Sequence, residues 1–451
     1  MLSPAESTSR EIAQRHRRYV LTPWAAQAGL DAPVIVRGSG VHLYDADGTR
    51  YVDLSSGLVA ANLGHGHPTV LGAMHEQIDR ICFAPPSWFN DARAELAEAI
   101  VALAPWANEG GRVFFTTGGS QANEDAVKFA RAITGRHKVL TAYRSFHGSS
   151  PGAAALTGEN RRWVSESGTP AGVVRFWAPF PYRSPFDTID SADETRRALA
   201  HLRATVAAED PGRIAAILIE PVVGSNGVIV YPDGYLAGVR ELCDETGILL
   251  VFDEVMTGFG RLGAAFGGER YGVVPDALTF AKGVTSAYAP LGGVVLRERY
   301  ARAFDDVPLP GGHTYSGHPV AMSAGLGALR AYREEAAFDR ALALEPSLRA
   351  KLNDLRDRHA IVGDVRGAGA FFALEFVSDR ASRAPLVAWQ GAGMGVMATF
   401  YAGLRKRGAY AFGRYNVVCI APPLLTSEAE LDEALVAVEG AIQDVESALR
   451  G

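Results

Sequence analysis

Three apolar runs in this chain stop at residues that can do chemistry. Ile248-Leu249-Leu250-Val251-Phe252 ends in Asp253 and Glu254, the run from Arg213 to Ile219 ends in Glu220, and Ala277-Leu278-Thr279-Phe280-Ala281 ends in Lys282. An amine and a carboxylate at neighbouring strand ends could grip the two ends of a flat heteroaromatic cofactor. The amine condenses with an aldehyde, and the carboxylate keeps a ring nitrogen protonated so that the ring draws electrons. The plain alternatives are a helix cap or structural ion pair for Asp253 and a solvated surface amine for Lys282. The local sequence speaks against the second, because Lys282 closes an apolar strand and is followed by Gly283. Desolvation there would lower the lysine pKa, as imine exchange needs.

Two further stretches supply what such a cofactor asks for. In Thr116-Thr117-Gly118-Gly119-Ser120-Gln121 a short apolar strand passes into a helix that reaches Thr134. Glycines let backbone N–H groups approach an anion, the helix start adds about half a positive charge, and Ser120 adds a hydroxyl. An ordinary strand-to-helix turn would look similar, and the stretch is neither a Walker loop nor a GxGxxG fingerprint. Phe146, at the end of a strand over 138–143 and followed by His147-Gly148, could lay a ring over a flat ligand. A core aromatic is the alternative. A phosphate cradle, an aromatic lid, two acids and a lysine are together the demands of pyridoxal phosphate. A nicotinamide site would instead want GxGxxG with an acid about 20 residues on.

The elements that must position these groups alternate in type. Buried strands are expected at 112–115, 138–143, 213–219, 248–252, 277–281 and 291–296, with helices at 92–104 (capped by Asp91), 119–134, 192–208 and 235–246 between them. That alternation predicts an α/β large domain with a mainly parallel sheet sandwiched by helices. Residues 149–191 show weak periodicity. A hairpin is expected over 41–54 around the turn Asp45-Ala46-Asp47-Gly48, and Phe83 to Asn90 is a Pro-rich aromatic loop, either packed surface or pocket wall. The loop 62–68 holds His65 and His67, without acids or cysteines at metal-ligand spacing. A composition shift near 310–340 divides the chain into residues 66–325, the large domain, and residues 326–451, a smaller α+β domain. Residues 1–65 are expected to join the smaller one.

Composition narrows the class. The 451 residues are 48% apolar and 21% charged, the balance of a globular protein with ample core. A net charge of −6 offers nothing to nucleic acid or anionic membranes, and no apolar run is long enough to cross a bilayer. Three dispersed cysteines, Cys82, Cys243 and Cys419, suit a reducing cytoplasm and form no metal cluster.

The chain resembles the class III aminotransferases from Gly40 to about residue 445. The resemblance rests on TTGGSQANEDAVKFAR (116–131), FHG (146–148), IEPV (219–222), LLVFDEVMTGFGRLG (249–263), TFAKGV (279–284), HTYSGHP (313–319) and APPL (421–424). It implies fold-type-I architecture and pyridoxal phosphate bound as a Schiff base to Lys282, which also moves the proton. It further implies Asp253 on the ring nitrogen, Phe146 stacked on the ring beside His147, Val255 on the opposite face and Glu220 near the phenolic oxygen. Gly119 and Ser120 would bind the phosphate, joined by Thr314 from a neighbouring subunit of an obligate homodimer.

Departures from the family pattern bear on substrate. Members that use glutamate or ornithine carry an arginine before APP and a glutamate gate after EPV; here these are Cys419 and Ser225. Segments 143–148, 156–163 and 179–186 resemble taurine-type transaminases. The implied reaction is an ω-aminotransfer from a taurine- or β-alanine-like donor to pyruvate or 2-oxoglutarate by ping-pong halves. Leu58, Val59, Trp88 and Arg414 are expected to line the substrate pocket, Arg414 equally readable as a solvated loop arginine. Other reactions of the same fold (decarboxylation, racemisation, aminomutation) and cofactor binding without turnover are the alternatives.

Overall fold

The computed structural model describes residues 8–168, 172–391 and 394–450. The expectations for the first residues of the chain, and for Gly451, fall partly outside this range.

Among the described residues the central sheet has seven strands. In spatial order these are Gly111–Thr116, Gly292–Arg297, Ala277–Phe280, Leu249–Asp253, Ile214–Ile219, Lys138–Ala142 and Val173–Phe176. The pairs formed by the last five run parallel, while Gly292–Arg297 runs antiparallel to both of its neighbours. All six residues of Ile214–Ile219 and all five of Leu249–Asp253 are buried. Such strands are covered on both faces, hence their unbroken apolar sequence. Helix Gly119–Thr134 covers one face through Ala122, Ala126 and Phe129, and helix Tyr235–Thr246 covers the other through Val239 and Leu242.

Two local expectations need correction. The cap of helix Asp91–Leu103 is Asn90, whose Oδ1 accepts from the Arg93 N–H at 3.2 Å, so Asp91 is already the first helical residue. Within the weakly patterned stretch lie a short helix, Pro151–Leu156, and the sheet-edge strand Val173–Phe176. At four residues that strand is too short to display a period.

Beyond the sheet, Val362–Ala368, Phe371–Asp379, Val417–Ile420 and Phe412–Arg414 form an antiparallel sheet in that order. It is accompanied by helices Ala337–Arg358, Met397–Lys406 and Glu428–Arg450. Strand Arg50–Asp53, from the N-terminal hairpin, pairs in parallel with Ala409–Tyr410. Arg261 ties these parts together. Wholly buried, it donates to the carbonyls of Ala370 (3.0 Å) and Pro422 (2.7 Å), to Ser56 Oγ (3.0 Å) and to Asn62 Oδ1 (2.7 Å).

Candidate active site

Register puts the acids and the amine around one space. Asp253 lies opposite Thr279 across the parallel pair, and Phe252 lies opposite Ile219, so Asp253 and Glu220 both emerge at the carboxyl edge. Open α/β sheets bind ligands at that edge. Lys282 follows on the next strand at a φ of +45°, a strained value for a non-glycine residue. Together they line a cavity of about 380 Å³ with Thr117, Gly118, Gly119 and Ser120 on one side and Phe146 and His147 on another.

Asp253 is held from several directions. Its Oδ2 accepts from Asn123 Nδ2 and from His147 Nδ1, each at 2.7 Å, and its Oδ1 accepts from the Val255 N–H at 3.0 Å. Thr279 Oγ1 donates to Asn123 Oδ1 at 2.7 Å, which orients that amide, and Asn123 Nδ2 also reaches the His147 carbonyl at 2.8 Å. With Nδ1 donating to the carboxylate, His147 leaves Nε2 buried and without a partner among the described residues. Charge-assisted contacts of this kind fix a carboxylate more firmly than neutral ones.

Glu220 and Lys282 are both pushed toward neutrality by burial. The Glu220 carboxyl rises to about 7, chiefly through desolvation, with His147 opposing and Asp253 reinforcing the rise. It accepts from the N–H groups of Phe146 (3.0 Å) and Gly224 (2.7 Å). Desolvation brings the Lys282 amine down to about 8, although Asp253 and Glu220 favour its charged form.

The glycine–serine turn is shaped by contact. A Cβ on Gly119 would sit 2.9 Å from both methyl groups of Val255, so only glycine lets the helix start reach this close. Gly148, at φ +140°, leaves no room for a side chain beside Ser120 Oγ. The cap residue Gly118 supplies no side-chain hydrogen bond, so the first N–H groups of helix Gly119–Thr134 are left for an anion.

These features fit pyridoxal phosphate. The unmatched helix start suits its phosphate, Asp253 its ring nitrogen, Phe146 and Val255 its two faces, and the Lys282 amine its aldehyde.

The other expected residues lie elsewhere. Thr314 is exposed on a loop anchored by His313 Nε2 on Asp125 Oδ2 at 2.6 Å, and it does not line the cavity. Leu58 and Trp88 are exposed, and Val59 is packed in an apolar cluster with Cys419. Arg414 lines a separate recess, where its Nη2 donates to Glu159 Oε2 (2.8 Å), Asn160 Oδ1 (2.8 Å) and Tyr415 Oη (2.9 Å).

Sequence reasoning missed Asn123, Thr279 and Arg161. Asn123 is one helical turn beyond Gly119 and Thr279 is three residues before Lys282, and neither spacing marks them out without the strand register. The guanidinium carbon of Arg161 lies 3.6 Å over the Phe146 ring, and its Nη2 donates to Ser225 Oγ at 3.0 Å. It comes from the 3-10 helix Asn160–Gly168 and carried no periodic signal.

The sheet and the cavity at its carboxyl edge are those of a fold-type-I pyridoxal-phosphate enzyme. Residues 25–442 match the profile of the aminotransferase class-III family, and the chain belongs to that family of pyridoxal-phosphate-dependent aminotransferases. It is 38% identical to a probable aminotransferase, Rv3329, of Mycobacterium tuberculosis over 90% of this chain and 88% of that protein. Identity to a taurine–pyruvate aminotransferase of Rhodobacter capsulatus is 34%, over 92% of each chain. The structure of a taurine:2-oxoglutarate aminotransferase from Bifidobacterium kashiwanohense, solved with PLP and glutamate, superposes with a TM-score of 0.94 at 39% identity. That match covers 98% of this chain and 99% of the other.

Proposed function

We propose that this aminotransferase takes its amino group from a donor whose amine is remote from its acid group, such as taurine or β-alanine. The acceptor is a small 2-oxo acid, pyruvate or 2-oxoglutarate. One observation carries the reading. Cys419, where an α-carboxylate clamp would stand, is a buried thiol raised to about 12 by desolvation, and therefore neutral. The names of the relatives above support the same substrate class.

The acid group needs a cation, and two candidates share one counter-ion. Arg161 and Arg414 both pair with Glu159, a carboxylate of zero side-chain exposure. Two guanidiniums on one carboxylate leave a positive charge uncompensated beside the Phe146 ring. A sulfonate or carboxylate would complete the set.

When bound, pyridoxal phosphate supplies the electron sink for C–H cleavage. The protein does the rest. Asp253, oriented by Asn123, His147 and the Val255 N–H, would present its carboxylate to the ring nitrogen and keep that nitrogen protonated. Lys282, brought down to about 8, has an accessible neutral amine and would take up and return the proton of the donor carbon. Glu220, bridging the Phe146 and Gly224 N–H groups, would hold the wall beside the cofactor's phenolic oxygen.

We further infer a cytoplasmic homodimer in which Thr314 completes the partner's phosphate site. Its neighbour Tyr315 is 59% exposed, and Trp88 is 70% exposed in one chain, surfaces that a second subunit would cover. No helix among the described residues is long and apolar enough to cross a membrane. The test is a donor panel (taurine, β-alanine, a plain amine) against both acceptors, with the holoenzyme spectrum followed in each half-reaction. Taurine or β-alanine should convert the cofactor stoichiometrically, and Arg161→Ala or Arg414→Ala should spare the plain amine while weakening the acids. Failure of every ω-amino acid to convert the cofactor would remove the proposal, and equal losses for amine and acid would remove the arginine assignment.

A further inference from the structure

A second pair of cavities lies outside the cofactor site. The first is a recess of about 150 Å³ lined by Arg144, Arg183, Arg366 and Arg414 around Glu375. The second is a chamber of about 420 Å³ walled by Tyr143, Trp177, Tyr231 and Trp389. Arg144, Phe180, Arg183 and Trp389 line both, so the two spaces adjoin. Arg161, donating to Ser225 Oγ, stands between the recess and the Phe146 ring of the cofactor cavity.

Charge in this region is unbalanced. Ion pairs match Arg161 and Arg414 with Glu159, and Arg183 and Arg366 with Glu375, Arg366 also taking Asp364 at 2.7 Å. Arg144 has no hydrogen bond or ion pair from its guanidinium among the described residues. It lies instead 4.2 Å from the Trp389 ring centroid and 5.1 Å from that of Phe180. With Arg161, Arg414 and Glu159 assigned to the substrate's acid group, three guanidiniums (Arg144, Arg183 and Arg366) remain against two carboxylates (Glu375 and Asp364). Buried cations are ordinarily paired, because removing them from water uncompensated is costly. Burial lowers the Arg144 pKa to about 10, in keeping with a cation short of a partner. Arg144 also sits at φ +67°, a strained conformation that a functional constraint would explain.

Hydrogen bonding shows the same excess. Arg183 Nη2, Arg366 Nη2, Trp389 Nε1 and Tyr231 Oη are buried, line these spaces and have no partner among the described residues. All four are donors. Tyr231 Oη can also accept, and the one acceptor-only atom left unmatched here is Asn226 Oδ1, whose NH₂ donates to the Ser145 carbonyl at 3.4 Å, so donors outnumber acceptors. Water would serve donors and acceptors alike, whereas a group of donors calls for an acceptor-rich anion. The chamber has the size and aromatic lining of a small-molecule site.

We propose that these joined cavities form a second binding site, taking a flat organic acid of the aryl carboxylate class. Its carboxylate lies on Arg144 and Arg366, and its ring lies between Trp177 and Trp389. The site is separate from the one where the amino group is transferred.

The test uses holoenzyme whose cofactor has first been blocked with aminooxyacetate, so that the catalytic cavity is filled. Benzoate is titrated calorimetrically and by tryptophan fluorescence, with benzamide as its neutral isostere and sulfate as a bare oxyanion. Saturable benzoate binding, tenfold or more tighter than benzamide and than sulfate, is the expected result. Arg144→Gln should weaken it at least tenfold with the cofactor absorption unchanged. Tyr231→Phe, which removes only a hydroxyl, should weaken it several-fold and serves if the arginine variant does not fold. The proposal is overturned if benzoate and benzamide bind alike, if sulfate binds as tightly as benzoate, or if neither variant changes the affinity.

Discussion

Replacing Lys282 by methionine should make the apoenzyme more stable at neutral pH, by an amount that disappears in alkali. The amine is brought from 10.5 down to about 8 by desolvation, and the attraction of Asp253 and Glu220 is already included in that value. A tenfold change in a protonation equilibrium corresponds to about 1.4 kcal/mol, so charging this lysine in the fold costs about 3 kcal/mol. That figure is an upper bound, because the cavity admits solvent. Methionine keeps the length and volume while removing the charge, and the amine makes no hydrogen bond among the described residues that would be lost. The sign follows from proton uptake. Between about 8 and 10.5 the unfolded chain holds the proton and the folded chain does not, so stability rises with pH across that window. The cost is fully present below about 8 and gone above 10.5.

At about 2 cal/mol/K per residue, 3 kcal/mol over a chain of 451 residues corresponds to roughly 3 °C in Tm. The assay is urea unfolding of wild-type and Lys282→Met apoenzymes at equal protein concentration, at pH 7 and again near pH 10.5. The methionine variant should have the higher midpoint at pH 7, and the two curves should converge at the alkaline end. Equal midpoints at pH 7 would refute the desolvation argument. A gain that persisted at pH 10.5 would show that packing, not charge, was responsible.

Three other perturbations follow from the same geometry. Asp253→Asn can keep the Asn123 and His147 contacts at its oxygen but turns its NH₂ toward the Val255 N–H and removes the charge, and turnover should fall on the order of 10²–10³-fold with Lys282 still binding cofactor, as read from half-reaction rates and absorption. Gly119→Ala sets a methyl 2.9 Å from both Val255 methyls, so overpacking of about 1–3 kcal/mol should lower cofactor affinity about fivefold or more; equilibrium titration of the apoenzyme decides this, and unchanged affinity contradicts the tight-approach argument. Arg261→Lys exchanges a planar fork for a point charge and strands several of its four acceptors, which should cost about 3 kcal/mol and lower the unfolding midpoint measurably.

What could be read in advance follows from where the information resides. Asp253, Glu220 and Lys282 were visible because a strand buried on both faces must be apolar throughout, so the first charged residue marks its end. Asn123 and Thr279 were hidden for a complementary reason. Each is an unremarkable residue of its own element, and each matters only through the register that sets Thr279 opposite Asp253 and Asn123 within reach of both. Arg161 is on a 3-10 helix, Asn160–Gly168, and Arg414 ends the three-residue strand Phe412–Arg414, neither of which carries a readable period, and their shared carboxylate, Glu159, lies on the bend just before the first. The antiparallel course of Gly292–Arg297 was equally hidden, since an apolar run reads the same in either direction. Its direction is set by the connection from Lys282 to Leu291, which is too short for the helical crossover a parallel return would need. The same brevity keeps Lys282 at the sheet edge: the chain turns back through Ser286 and Ala287 at positive φ, and Thr285, Ala287 and Leu291 close the cavity beside the amine.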